Sequence, residues 1–231
     1  MEDSKLSLFF RRARQDEKSS YSQCGEDLIV DFLYSVTGVT KGKFIDIGAH
    51  HPTYLNNTYS LYRKGWTGVN VDPLRRNIDL FRKKRSKDVN VCAGIGETTE
   101  RRLLYVMEPE TLSTFDRAVS ERYSQEGHPA ARIEEVELYS VPDFISQFKI
   151  PSAVDLFSID IEGGEQNVIG EIIANGIEPR VIICETALYS PYIRKAEKNN
   201  ELIERIKSLG YLLYADTFMN SIFVSQKFWN E

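Results

Sequence analysis

Cysteine is scarce in this chain: three residues in 231, at Cys24, Cys92 and Cys184. An odd number at wide spacing suits neither a disulfide framework nor a zinc knuckle, so reduced cytoplasmic thiols are expected. Glycine and proline are also few, 14 and eight, which excludes collagen-like and low-complexity chains. No run of 18 or more apolar residues occurs, so no transmembrane segment is expected. Arg11, Arg12 and Arg14 follow the apolar start instead of preceding it, the reverse of a signal peptide. Nor is there a basic surplus: 29 Lys and Arg against 34 Asp and Glu leave a net charge of −5, and no nucleic-acid partner is expected. The basic run Arg82-Lys83-Lys84-Arg85 reads as the solvated end of a helix.

What is present is globular in character, 42% hydrophobic and 27% charged. Leu6 to Arg14 reads as a short amphipathic helix, and residues 1–40 as an N-terminal helical cap. Leu28, Ile29, Phe32, Leu33 and Val36 recur at helical spacing, with Ser22 as the expected N-cap and Glu26 and Asp27 in the first turn. Short apolar strands then alternate with longer helices. Strands are expected at 43–48, 68–72, 89–95, 154–160 and 180–185, with helices at 58–64, 77–84, 166–175 and 200–209. Two closing strands, 211–215 and 221–225, are five residues apart and should pair antiparallel. This is the pattern of a single doubly wound α/β domain with a mostly parallel sheet, spanning 1–231. An insertion at 97–149, with strands at 102–107 and 136–140 and a polar helix at 115–125, is expected to bind the acceptor or act as a lid.

In such sheets ligands bind outside the carboxyl ends of the strands. The tips read Asp46-Ile47-Gly48-Ala49-His50-His51-Pro52, Asp72-Pro73, Cys92-Ala93-Gly94-Ile95-Gly96, Asp160-Ile161-Glu162-Gly163-Gly164-Glu165 and Glu185-Thr186. Acidic residues and glycines gather there, while lysine and arginine do not. A dinucleotide wants Gly-x-Gly-x-x-Gly and a nucleoside triphosphate wants Gly-x-x-x-x-Gly-Lys-Ser/Thr; both are absent. A ligand with a ribose and positive charge wants a close backbone approach, as at Gly48, and carboxylates, as at Asp72. S-adenosylmethionine is a ligand of that kind.

Tyr21-Ser22-Gln23-Cys24-Gly25-Glu26-Asp27, Phe44-Ile45-Asp46-Ile47-Gly48-Ala49-His50, Asn57-Thr58, Gly65-Trp66-Thr67-Gly68-Val69-Asn70-Val71-Asp72-Pro73 and Ser158-Ile159-Asp160-Ile161-Glu162-Gly163-Gly164-Glu165 together resemble the FkbM family of S-adenosylmethionine-dependent methyltransferases. The resemblance runs from about residue 21 to 225. It implies the Rossmann-like class I methyltransferase fold, a seven-stranded sheet of order 3-2-1-4-5-7-6, and O-methylation of a sugar, glycan or small natural product. One departure is His50-His51-Pro52, where many members carry Asn-Asp/Glu-Gly. By the resemblance, Asp46, Gly48, Ala49 and His50 line the methionine and ribose side of the cofactor, and Asp72 holds the ribose. Gly94 and Ile95 flank the adenine, and Gln23 and Glu26 close over the methionine end. Asp160 then lies beside Asp46.

Methyl transfer to a hydroxyl needs alignment, exclusion of water and a base for the acceptor proton. The candidates are Asp160, Glu162, His50, His51 and Glu185. Asp160 with Glu162 would also suit Mg²⁺, which some sugar methyltransferases of this fold use. Asn57-Thr58 reads most simply as a helix cap, Phe44 and Trp66 as core, and Cys92 and Cys184 as buried thiols. The rivals to an O-methyltransferase are a non-catalytic cofactor-binding partner and a nucleic-acid amino-methyltransferase. The latter carries Asn/Asp-Pro-Pro-Tyr/Phe after the fourth strand, where this chain has Asp160-Ile161-Glu162-Gly163.

Overall fold

The structure, a computed structural model, describes residues 18–161, 163–188 and 196–231. The expected helix at Leu6 to Arg14 and the candidate Glu162 lie outside them. Helix α1 (Glu26–Val36) precedes strand β1 (Lys43–Ile47), followed by α2 (Tyr59–Arg63), β2 (Thr67–Asp72), α3 (Arg75–Lys84) and β3 (Val89–Cys92). Strands β4 (Gly94–Gly96), β5 (Glu100–Met107) and β6 (Ala130–Ser140), with α4 (Arg117–Gln125) between the last two, form the insertion. The chain continues through α5 (Val141–Phe148), β7 (Leu156–Ile159), α6 (Glu165–Ala174), β8 (Val181–Glu185), α7 (Asn200–Ser208), β9 (Tyr211–Asp216), β10 (Asn220–Ser225) and α8 (Gln226–Trp229).

The main sheet has the order β3-β2-β1-β7-β8-β10-β9. Its first five strands run parallel, and β10 pairs antiparallel with both β8 and β9. This is the class I methyltransferase order. The strands are apolar on both faces because both are covered. Ile45, Ile47, Val71, Ile159 and Ile182 pack on one side, and Phe44, Leu156, Val181, Ile183 and Ile222 on the other.

Three expectations change. The third strand breaks at Ala93: β3 stays in the main sheet, while β4 leaves to join β6 and β5 in a three-stranded sheet. Gly94 makes the departure feasible, since a Cβ there would lie 2.9 Å from the Phe115 ring and 3.3 Å from Leu138 Cγ. The second insertion strand begins at Ala130, six residues earlier than its apolar part suggests. Its polar half is an exposed strand facing β5, with Arg101 paired to Glu135 across the ladder. At the first helix, Gly25 in the left-handed region occupies the N-cap; Ser22 Oγ still accepts the Gly25 and Asp27 N–H groups at 3.1 and 3.3 Å.

Candidate active site

Where β1 ends, the chain turns at Gly48, with φ 76°. A Cβ there would meet the Asp160 carbonyl oxygen at 1.7 Å, so only glycine lets the tips of β1 and β7 approach this closely. The Gly48 and Ala49 N–H groups both donate to Val71 O, at 2.9 and 3.0 Å. His50 follows with φ 52°, a left-handed conformation that histidine, like asparagine, adopts more readily than most side chains. That relation accounts for histidine at a place where asparagine is common. Asp72 pins the turn: its Oδ2 accepts the His50 N–H at 2.9 Å, and its Oδ1 accepts the Leu74 N–H at 2.8 Å and Asn77 Nδ2 at 3.1 Å. A carboxylate offers roughly four acceptor positions, so Oδ2 keeps one open. Burial pushes the Asp72 carboxyl up to about 7.

These tips form one wall of a cavity of about 1160 Å³, lined by Gly48, His50, Asp72, Gly94, Ile95 and Asp160. Phe115 and Leu138 of the insertion also line it, packed beside Gly94. The volume exceeds the roughly 300–1000 Å³ of a typical small-molecule pocket, enough for a cofactor and an acceptor together. Asp160 is accessible from the cavity and otherwise ringed by protein. Burial and the nearby Glu165 charge push its carboxyl up to about 6. It also shares a hydrogen bond with Glu185, which lines the same cavity. A bond between two carboxyls requires a proton between them, so the pair shares one.

Not every candidate reaches the cavity. Gln23 does, on a loop held by Asp27, whose oxygens accept from Ser20 Oγ, the Tyr21 N–H and Ser22 Oγ at 2.6, 2.8 and 2.9 Å. Glu26 does not: it is fully buried and accepts from the Cys24 N–H, Thr217 Oγ1 and Asn220 Nδ2, tying α1 to the β9–β10 turn. Ala49 is buried behind the turn, and His51 Nδ1 accepts the N–H groups of Thr53 and Tyr54, a turn-forming role off the cavity wall. Asp46 is also buried behind the turn, where Asn56 Nδ2 and Thr58 Oγ1 donate to its Oδ2 at 3.1 and 2.9 Å. Thr58 makes no side-chain cap, contrary to the simplest reading of Asn57-Thr58. Among the described residues, no group of three or more His, Cys, Asp and Glu side chains is arranged to hold a metal ion.

Arg85 was expected to be solvated and is fully buried instead. Its Nε donates to Asp88 at 2.8 Å and its Nη1 to Asn56 Oδ1 and Thr58 Oγ1 at 3.0 and 2.9 Å, with Phe44, Tyr62 and Phe81 stacked around it. Asp46 and Asp88 supply its counter-charge.

The residues at the tips fit a sulfonium nucleoside. The glycine turn admits close approach, Asp72 keeps an acceptor position open for a ribose hydroxyl, and Ile95, Phe115 and Leu138 give an apolar slot suited to an adenine. Residues 46–213 match the methyltransferase FkbM domain. The chain belongs to the FkbM methyltransferase family. It is an S-adenosylmethionine-dependent methyltransferase. No curated protein matches the chain in sequence. Similar solved structures include a TehB-like SAM-dependent methyltransferase from Corynebacterium glutamicum, 10% identical, with a TM-score of 0.46 and coverage of 96% of this chain and 97% of that one. An O-methyltransferase from Bacillus cereus in complex with SAH is 13% identical, with a TM-score of 0.40 and coverage of 95% and 87%. The small RNA methyltransferase HEN1 is 12% identical, with a TM-score of 0.41, 92% of this chain being covered and 28% of that one. For this FkbM methyltransferase, no helix of the described residues is long and apolar enough to cross a membrane.

Proposed function

We propose that this FkbM methyltransferase methylates a hydroxyl oxygen of a sugar, glycan or small natural product, with Asp160 as the base. The observation that carries the reading is an accessible carboxylate, Asp160, beside the Gly48 turn, with its value pushed up to about 6 and Glu185 bonded to it. S-adenosylmethionine supplies a methyl group activated by its sulfonium and leaves as the neutral thioether. Asp160 takes the acceptor hydroxyl's proton as the oxygen forms its bond to the methyl carbon. Glu185, hydrogen-bonded to Asp160, keeps it oriented. Asp72 holds the ribose, Gly94 and Ile95 flank the adenine, and Phe115 and Leu138 of the insertion cover that part of the cavity and keep water out.

A base whose value lies near neutrality is matched to its task, ionised at working pH yet still able to retain a proton. The test is release of S-adenosylhomocysteine with a panel of hydroxylated acceptors, with the new O-methyl group located by NMR. Asp160→Asn is expected to lower turnover by about 10²–10⁴-fold, far more than it weakens S-adenosylhomocysteine binding. Full turnover in that variant removes Asp160 as the base.

A further inference from the structure

Asn57 lines the cavity, on the loop that follows the Gly48 turn. Its Nδ2 donates to Ser158 Oγ at 3.2 Å. Ser158 is the register partner of Asp46 across the β1–β7 pair and hydrogen-bonds the Asp46 carboxyl. The surroundings of Asp46 are donors: Asn56 Nδ2, Thr58 Oγ1 and the Arg85 charge. A carboxylate can only accept, so the single Ser158 proton points at Asp46. Ser158 Oγ is thereby left as an acceptor, and it is met by the Asn57 amide nitrogen. This sequence sets the direction of the carboxamide. The nitrogen faces Ser158, Oδ1 faces away from it, and no described residue donates to that oxygen.

We propose that Asn57 Oδ1 receives the α-ammonium group of the cofactor, its direction set from behind by Ser158 and Asp46. The inference rests on the cofactor reading above. The site lies at the β1–β7 junction next to Gly48 and Asp160, where a cation is drawn to carboxylates and a bare carbonyl supplies a directed acceptor. It also explains why an acidic residue at position 46 serves cofactor binding without reaching the cavity. Asp46 and Ser158 are positioning residues; Asn57 makes the contact.

Two probes separate this role from a structural one. S-adenosylhomocysteine carries the amino-acid tail, and 5′-methylthioadenosine is the same nucleoside without it. By titration calorimetry, Asn57→Ala is expected to weaken S-adenosylhomocysteine by on the order of tenfold to a hundredfold, with 5′-methylthioadenosine unchanged to within about twofold. Ser158→Ala, which frees the amide to turn over, should show the same selectivity with a smaller loss. An unchanged affinity for S-adenosylhomocysteine in Asn57→Ala overturns the proposal. So does an equal loss for both nucleosides, the result of a merely structural or misfolding effect. If the wild-type chain binds neither nucleoside, the cofactor reading falls, and the proposal with it.

Discussion

Asp72 is nearly fully buried and holds three N–H donors while facing the cavity, so its charge is tied to the fold and, in the proposed function, to the ribose. Asp72→Ala is expected to weaken S-adenosylhomocysteine binding by about 1–3 kcal/mol, because buried ribose hydroxyls lose a charged acceptor; unchanged affinity would remove Asp72 from the site. The carboxyl is pushed up to about 7. A carboxylate accepts better than a carboxylic acid, so wild-type affinity should rise as pH increases through about 7. Asp160 gives a second titration, at about 6. With Asp160 as base, the acid limb of the turnover profile lies near that value, and activity is lost as pH falls through it. The sign for stability is the opposite. A carboxyl whose folded value lies above its ordinary 3.8 binds its proton more tightly when folded. Its contribution is present below about 3.8 and lost as pH rises through about 6. Asp160→Asn should therefore raise the melting temperature near pH 8, with little change near pH 4; a gain of equal size at both contradicts this.

At the scale of elements, the Gly48 turn is held from behind by a residue at the far end of another helix. Arg85 follows α3, yet it reaches Asn56 and Thr58, which in turn hold Asp46 and the Ala49 carbonyl. Removing it leaves Asp46 and Asp88 as buried carboxylates without their counter-charge. Arg85→Ala is expected to cost about 3–5 kcal/mol in urea unfolding; a cost under about 1 kcal/mol, that of an exposed pair, would mean that the network carries no strain of charge. The sequence reads this residue wrongly because Arg82, Lys83 and Lys84 before it are exposed, and a run of four cations looks uniform. Asp46 misleads for a related reason. It lies one residue inside the end of β1, on the face shared with Phe44, so it points into the protein while Gly48 reaches the cavity. Glu26 and His51 form tertiary and turn contacts that no spacing reveals. Asn57 looks like a cap because asparagine before a helix usually is one, and its link to Ser158 spans 101 positions.

At the scale of the molecule, the sheet was largely legible. Its parallel strands are apolar runs bounded by polar helices, and burial on both faces produces that pattern. Gly48, Asp72 and Asp160 can be named as candidates from the sequence because they stand at strand tips, and the topology brings all three to one cavity. The insertion was less so. The first half of its β6 carries Arg132, Glu134 and Glu135 on an exposed ladder, where Glu135 pairs with Arg101, and burial leaves no mark on such a strand. The proposed function requires a sulfonium nucleoside to lie across the tips of β1, β2 and β7, held by carboxylates and a glycine turn with no phosphate-binding loop. The most direct test is calorimetric titration of the wild-type chain with S-adenosylhomocysteine and, separately, with NAD. Saturation at about one S-adenosylhomocysteine per chain and no heat from NAD are expected of the proposed function. Binding of NAD in preference to S-adenosylhomocysteine, or no binding of the sulfur nucleoside, would contradict it.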